Sequence, residues 1–263
     1  MSLVFAAITP HPPLLIPTIG KDALKKINQT QQALERLEEE LYLARPDIII
    51  IISPHGHLFT DAFSINLSTV FKTNLREFGD LATNCTYKGE IHLPGAIRSL
   101  AKQRGYETTI ITNENLDHGI TIPLYYLTAH LPEIKIMPIG YCNLDHKTHL
   151  EFGYLMKDPI MKSSKRIAII ASGDLSHALT TDAPAGFNPA GEKFDKKIQE
   201  LLATHNSTGM VQLDPQFVNE ATECGLRSFL ILLGVLRDMS YRYESYAYEA
   251  PFGVGYLTAN FIL

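Results

Sequence analysis

Four of the ten histidines, His11, His55, His118 and His177, sit where an apolar run gives way to a turn. The settings are Thr9-Pro10-His11-Pro12-Pro13, Ser53-Pro54-His55-Gly56, Asp117-His118-Gly119 and Ser172-Gly173-Asp174-Leu175-Ser176-His177. Imidazole ligates metals and changes charge near neutral pH, so such residues gathered at one place can hold an ion or move protons. For any one of them the ordinary alternative is a histidine that caps a strand by hydrogen bonding. Recurrence in four similar settings favours a site. His57, His92, His130, His146, His149 and His205 lack this setting and read as surface or packing residues, with His57, two residues past His55, the nearest to an exception.

His11 and His55 are the natural pair of metal ligands. A third donor is available in Asn219-Glu220-Ala221-Thr222-Glu223-Cys224-Gly225. Either Glu223, a hard oxygen ligand, or Cys224, a soft sulfur ligand, can supply it, since adjacent side chains do not normally point the same way. Two histidines and a carboxylate with open positions suit non-haem Fe(II) and O2, and the same ligand types hold zinc for hydrolysis. The ordinary alternatives are a carboxylate favourable to a helix N-terminus for Glu223 and a small buried hydrophobe for Cys224. His177 and His118 are then proton donors and acceptors. Asp174 either orients a ring or, as the default, caps a helix. Gly253-Val254-Gly255 precedes a strand and is no dinucleotide fingerprint, and no Gly-x-Ser-x-Gly elbow occurs.

These residues need a scaffold that brings strand ends together. Ile49-Ile50-Ile51-Ile52 suits a strand buried on both faces of a parallel sheet. Leu3–Ile8 is a second short apolar strand. Lys21–Ala44 carries Leu24, Ile27, Leu34, Leu37 and Leu41 at helical spacing, which predicts one long amphipathic helix joining the two. Such a βαβ unit places both strand ends on one edge of the sheet, where open α/β sheets bind ligands. Further strands are expected at Phe63–Val70, Thr108–Thr112, Lys135–Ile139, Arg166–Ala171 and Val254–Phe261. Helices are expected at Ala96–Arg104, Pro123–His130 (beginning at the proline), Gly191–Thr204 and Leu226–Leu236. Lys72–Pro94 is polar and reads as an irregular excursion over the site.

The fold class expected is α/β: a single domain over residues 1–263, with a central, largely parallel sheet flanked by helices. The chain has 263 residues, with 45% apolar and 19% charged, ordinary for a soluble globular protein. A formal net charge of -5 gives no basic footprint for nucleic acid. Cys85, Cys142 and Cys224 are too few and scattered for a disulfide framework, which makes a reducing cytoplasm the expected location. No apolar run reaches the ~18 residues of a membrane span, and the N-terminus lacks the positive region of a secretory signal.

With these residues in view, the sequence resembles the class III, LigB-type extradiol ring-cleavage dioxygenases. His11-Pro12-Pro13, Ser53-Pro54-His55-Gly56, Asp117-His118-Gly119 and Ser172-Gly173-Asp174-Leu175-Ser176-His177 match in the family's order across most of the chain. The nearest likeness is to the LigB-like domain of AmmeMemoRadiSam system proteins, through Pro184-Ala185-Gly186 and Glu223-Cys224-Gly225-Leu226-Arg227, and the related Memo proteins are similar. The resemblance implies Fe(II) held by His11, His55 and a carboxylate, with zinc or copper as alternatives. It implies His177 as the catalytic acid/base and His118 as a second active-site histidine. Ring-cleaving members carry a glutamate in the third-ligand region, whereas Memo proteins put a cysteine near the metal, and this chain offers both Glu223 and Cys224. The substrates implied are a catecholic aromatic and O2, and assembly into homo-oligomers is compatible with the resemblance. The competing expectation is a Memo-like metal-binding protein, or a zinc or iron hydrolase or modification enzyme, without ring cleavage.

Overall fold

The computed structural model describes residues 2–263. Its strands are β1 (Leu3–Thr9), β2 (Ile48–Ser53), β3 (Phe63–Asn66), β4 (Val70–Thr73), β5 (Thr86–Gly89), β6 (Thr108–Ile111), β7 (Asn115–Leu116), β8 (Lys135–Gly140), β9 (Ile167–Ser172), β10 (Arg242–Glu249) and β11 (Tyr256–Ile262). The α-helices are α1 (Pro17–Gly20), α2 (Asn28–Ala44), α3 (Leu93–Gln103), α4 (His118–Leu127), α5 (His146–Lys162), α6 (Pro189–Ala203), α7 (Ser207–Val211), α8 (Pro215–Ala221) and α9 (Leu226–Leu236). The architecture is the expected α/β one, a mostly parallel sheet between helices.

The centre of the sheet is the parallel set β1-β9-β2-β8. Its isoleucines explain the uninterrupted apolar runs. Ile48, Ile50 and Ile52 face the core with α5, α6 and α9, while Ile49 and Ile51 face the core with α2 and α4. Burial on both faces leaves no solvent side to demand alternation. Because these strands are parallel, the ends of β1, β2 and β9 share one edge, and His11, His55 and His177 follow them there. β11 and β10 extend the sheet antiparallel beyond β1.

On the other side the sheet forks at β8. The amino half of β8 pairs with β5, through Lys88 opposite Lys135, whereas its carboxyl half pairs with β3, through Ser64 opposite Gly140. β3 carries β6, and β5 carries β4 and β7. This fork corrects two expectations. Phe63–Val70 is not one strand: β3 stops at Asn66, whose side-chain amide exchanges two hydrogen bonds with the backbone of Asn113, and β4 restarts in the other branch. Lys72–Pro94 is not irregular: it contains the end of β4, a 3-10 turn at Arg76–Phe78, β5 and the start of α3.

Two helix boundaries also differ. Lys21–Ile27 is 3-10, and α2 begins only at Asn28, where Glu249 at the end of β10 accepts the Thr30 N–H at 2.6 Å. α4 begins at His118, five residues before Pro123, because the Asp117 side chain accepts from the Ile120 amide and caps it. Pro123 therefore lies inside the helix. β10, α5, α7 and α8 were not expected from the sequence. Among the described residues no helix is long and apolar enough to cross a membrane.

Candidate metal centre

His11, His55 and His118 each offer a ring nitrogen, and the three atoms lie within 4.8 Å of one another. His11 Nε2 is 2.9 Å from His55 Nε2. The His55 and His118 rings stack at 4.2 Å between centroids, and His11 stands edge-on to both, at 4.8 and 5.5 Å. Burial drives His11 well below the ordinary imidazole range and lowers His55 to about 4, with neighbouring imidazoles adding to the effect in both. Burial also lowers His118, against the opposing charge of Glu77. Burial thus favours the neutral ring in each, the form that ligates a metal. Mutually facing imidazole nitrogens with lowered proton affinity fit a divalent transition metal as a donor set.

Two strand-end serines hold this group. At the end of β2, Ser53 Oγ donates to Asp117 Oδ1 at 2.6 Å and accepts the His55 N–H at 3.2 Å. At the end of β9, Ser172 Oγ lies 2.9 Å from His11 Nδ1 and donates to the Gly119 carbonyl at 2.5 Å. The first turn of α4 is thereby tied to β2 on one side and β9 on the other. Residue 119 must be glycine for this: a Cβ there would stand 2.5 Å from Ser53 Oγ and 3.3 Å from His55 Cδ2. Ser53 and Ser172 end two of the apolar runs, yet nothing in the sequence alone marks them, or Gly119, as the groups that hold these rings.

The remaining candidates fall at different places around the trio. Cys224 Sγ lies 3.6 Å from His11 Nε2, while its own proton is held strongly by burial. Glu223 spends Oε2 on the Leu226 N–H at 2.6 Å, at the start of α9, and is not among the three converging ligands. Burial raises the Glu223 carboxyl to about 7. Asp174 does not cap a helix, because none starts there. Its Oδ1 accepts the His11 backbone N–H at 2.9 Å, and its Oδ2 is 3.8 Å from His11 Nε2. The 172–178 and 219–225 segments touch backbone to backbone, since a Cβ at Gly173 would lie 2.2 Å from Gly225 Cα. Cys224 N–H donates to the Asp174 carbonyl and Asp174 N–H to Cys224 Sγ, each at 3.3 Å.

His177 stands near enough that its charge would lower both His11 and His55. Its Nδ1 is buried with no hydrogen-bond partner among the described residues, and burial lowers its proton affinity. Its backbone is fixed on both sides, by His177 N–H to Ala221 O at 3.2 Å and Ala185 N–H to His177 O at 3.1 Å.

Beside His55 a cavity of about 380 Å³ opens into the fork of the sheet. Ser64 and Asn66 of β3, Gly140 of β8, and Asn113, Asn115 and Arg76 line it. The 3-10 turn of the Lys72–Pro94 excursion reaches the trio directly. Phe78 packs edge-on to His118 at 5.1 Å, and Glu77 Oε1 lies 3.8 Å from His118 Nδ1. The excursion does cover the site, as expected, though as ordered structure.

Residues 5–259 match the family model of the catalytic LigB subunit of aromatic ring-opening dioxygenase. The chain is 34% identical over 97% of its length to Protein CA_C1420 of Clostridium acetobutylicum, of whose length it spans 57%. It is 23% identical to the 2-aminophenol 1,6-dioxygenase beta subunit of a Pseudomonas species, over 96% of this chain and 92% of that one. Among solved structures, an uncharacterized protein, JW3007, from Escherichia coli K12 shares the fold, with a TM-score of 0.66 at 16% identity over 98% of this chain and 99% of that one. The match over nearly the whole chain, with a histidine group at the expected sheet edge, places this protein in the LigB family of aromatic ring-opening dioxygenase catalytic subunits.

Proposed function

We propose that the protein is a non-haem Fe(II) oxidoreductase of extradiol type, which opens a catecholic or aminophenolic ring with O2. The observation that carries this is the convergence of His11, His55 and His118 nitrogens beside a cavity large enough for an aromatic ring. His11 and His55 would hold the metal. The third position would fall to His118 or, from the other side, to Cys224, and Glu223 serves the start of α9. When bound, Fe(II) would supply a Lewis-acidic, redox-active centre for the reaction of the aromatic substrate with O2.

The chain's own groups do the rest. His177, whose neutral form is favoured by burial, accepts a proton from a substrate hydroxyl and later returns it. Asp174 fixes the backbone of His11, and Ser53 fixes that of His55, so both rings are held before substrate arrives. Phe78 covers the outer side of His118 and limits water there. The fork cavity, with Arg76 and the asparagine side chains, takes the ring and the part of the substrate that extends beyond it. The relative named as a 2-aminophenol dioxygenase subunit supports including aminophenols among the substrates.

A second reading, a Memo-like metal protein without ring cleavage, is favoured by Cys224 at 3.6 Å from His11 Nε2. Anaerobic metal analysis followed by oxygen uptake with a panel of catechols and 2-aminophenols separates the two. Iron with ring-opened product supports the first. Zinc or copper, with no oxygen uptake across the panel, replaces it with the second.

A further inference from the structure

Ser172 lies at the end of β9, fully buried, with its hydroxyl between two groups of opposite demand. The Gly119 carbonyl, at 2.5 Å, can only accept, so the single hydroxyl proton goes there. Towards His11 Nδ1, at 2.9 Å, the oxygen is left as the acceptor, which requires Nδ1 to carry a proton. In a neutral ring Nε2 is then bare. Nε2 is the atom that faces His55 at 2.9 Å and Cys224 Sγ at 3.6 Å.

The carbonyl needs Ser172 for a reason written four residues further on. Inside α4, Gly119 O would take the N–H of residue 123, and residue 123 is proline, which has none. Both Gly119 and Pro123 are buried, and a buried carbonyl without a donor is costly. The proline in the helix thus commits the serine proton, and the committed serine fixes the histidine tautomer. Ser53 makes no equivalent contact with the His55 ring, because it meets only the backbone N–H of that residue.

We propose that Pro123 and Ser172 form a positioning pair that locks His11 in its Nδ1–H tautomer, so that Nε2 is presented to a metal as a ready lone pair. The inference concerns the metal-binding step of the proposed function and not ring cleavage. Hydrogen bonds to the far nitrogen of a ligating histidine are known to set its tautomer and orientation.

The test reads the tautomer and the metal separately. Two-bond 15N–1H spectra of the metal-free protein report which nitrogen of His11 is protonated, and titration with Zn(II) or Co(II) alone reports affinity. In the natural protein His11 should be protonated at Nδ1. Pro123→Ala restores an N–H opposite Gly119 O and releases the Ser172 proton, which should let the Nε2–H tautomer grow and weaken metal binding by ~10–100-fold. A merely structural proline would predict the reverse: an equally or more stable helix with His11 and affinity unchanged. Ser172→Ala should also mix the tautomers, and Pro123→Ala serves if that variant fails to fold. An Nε2–H His11 in the natural protein, or an unchanged tautomer in Pro123→Ala, overturns the proposal. If the natural protein binds neither metal, the functional reading fails, while the spectra still decide the tautomer.

Discussion

Cys142 Sγ lies 3.9 Å from His149 Nε2, and Cys224 Sγ lies 3.6 Å from His11 Nε2. By residue type and distance the two pairs are near equivalents, and each follows a parallel strand or packs at its end. Their ring nitrogens are used differently. His149 turns Nδ1 to the Asp145 carbonyl at 2.7 Å, and its Nε2 is closed in by the Cys142 backbone, with O at 3.1 Å and N at 3.5 Å. Phe63 meets its ring edge-on, and among the described residues His149 belongs to no converging group of three or more His, Cys, Asp or Glu ligand atoms. His11 instead satisfies Nδ1 with Ser172 and aims Nε2 at a second imidazole, with a third close by. A histidine whose two nitrogens are both answered by backbone is a packing residue. One whose second nitrogen faces other potential ligand atoms marks a candidate site.

The largest expected effect follows directly. His11→Ala should abolish stoichiometric metal binding with the fold retained, whereas His149→Ala should keep the metal and lose about 2–4 kcal/mol of stability, as large-to-small changes in packed interiors do. Paired metal analysis and denaturant unfolding check both, and a loss of metal in His149→Ala alone would invert the comparison. Next is His177→Ala, expected to keep metal while turnover falls by ~10²–10⁴-fold, the range for a positioned acid/base. Loss of metal in that variant would make His177 a ligand.

The pH dependence sharpens the packing half. His149 is lowered by burial to about 4, below its unfolded value of about 6.5. Its protonation therefore favours the unfolded chain. Its share of stability is intact above pH 6.5, declines as pH falls, and is lost by about pH 4, a change on the order of 3 kcal/mol. Unfolding free energies of the metal-free protein across this window should slope less in His149→Gln. An equal slope would place the titration elsewhere.

The smallest effects separate the neighbours Glu223 and Cys224. Glu223→Gln should leave metal affinity unchanged and cost under about 1 kcal/mol at the start of α9. Cys224→Ser should weaken metal binding by about 10-fold, the scale of a group that tunes a site. Titration with a single metal measures both, and a greater loss in Glu223→Gln would restore the carboxylate as third ligand.

What the sequence made legible was the periodicity and its interruptions. The isoleucine strand, its parallel partners and the edge on which His11, His55 and His177 gather follow from apolar runs ending at proline or glycine. Asp117-His118-Gly119 was legible as a site turn, but not as the start of a helix, because Pro123 offered a more familiar start signal than the Asp117 cap. That shift matters, since it brings His118 into the candidate ligand group beside His55. The sheet fork was hidden because it depends on which half of β8 pairs with which strand, a matter of tertiary register. Ser172 was in view throughout, yet its role depends on Gly119 O, and hence on a proline 49 residues earlier in the chain.

Whether the strand-end histidines hold one metal, and His149 with Cys142 none, is decided by X-ray absorption at the metal edge of anaerobically prepared protein, on the natural chain and on His55→Ala. One metal per chain with at least two imidazole nitrogens in its shell is expected, with loss of that metal in His55→Ala. A metal with the same shell and stoichiometry in both proteins would contradict it.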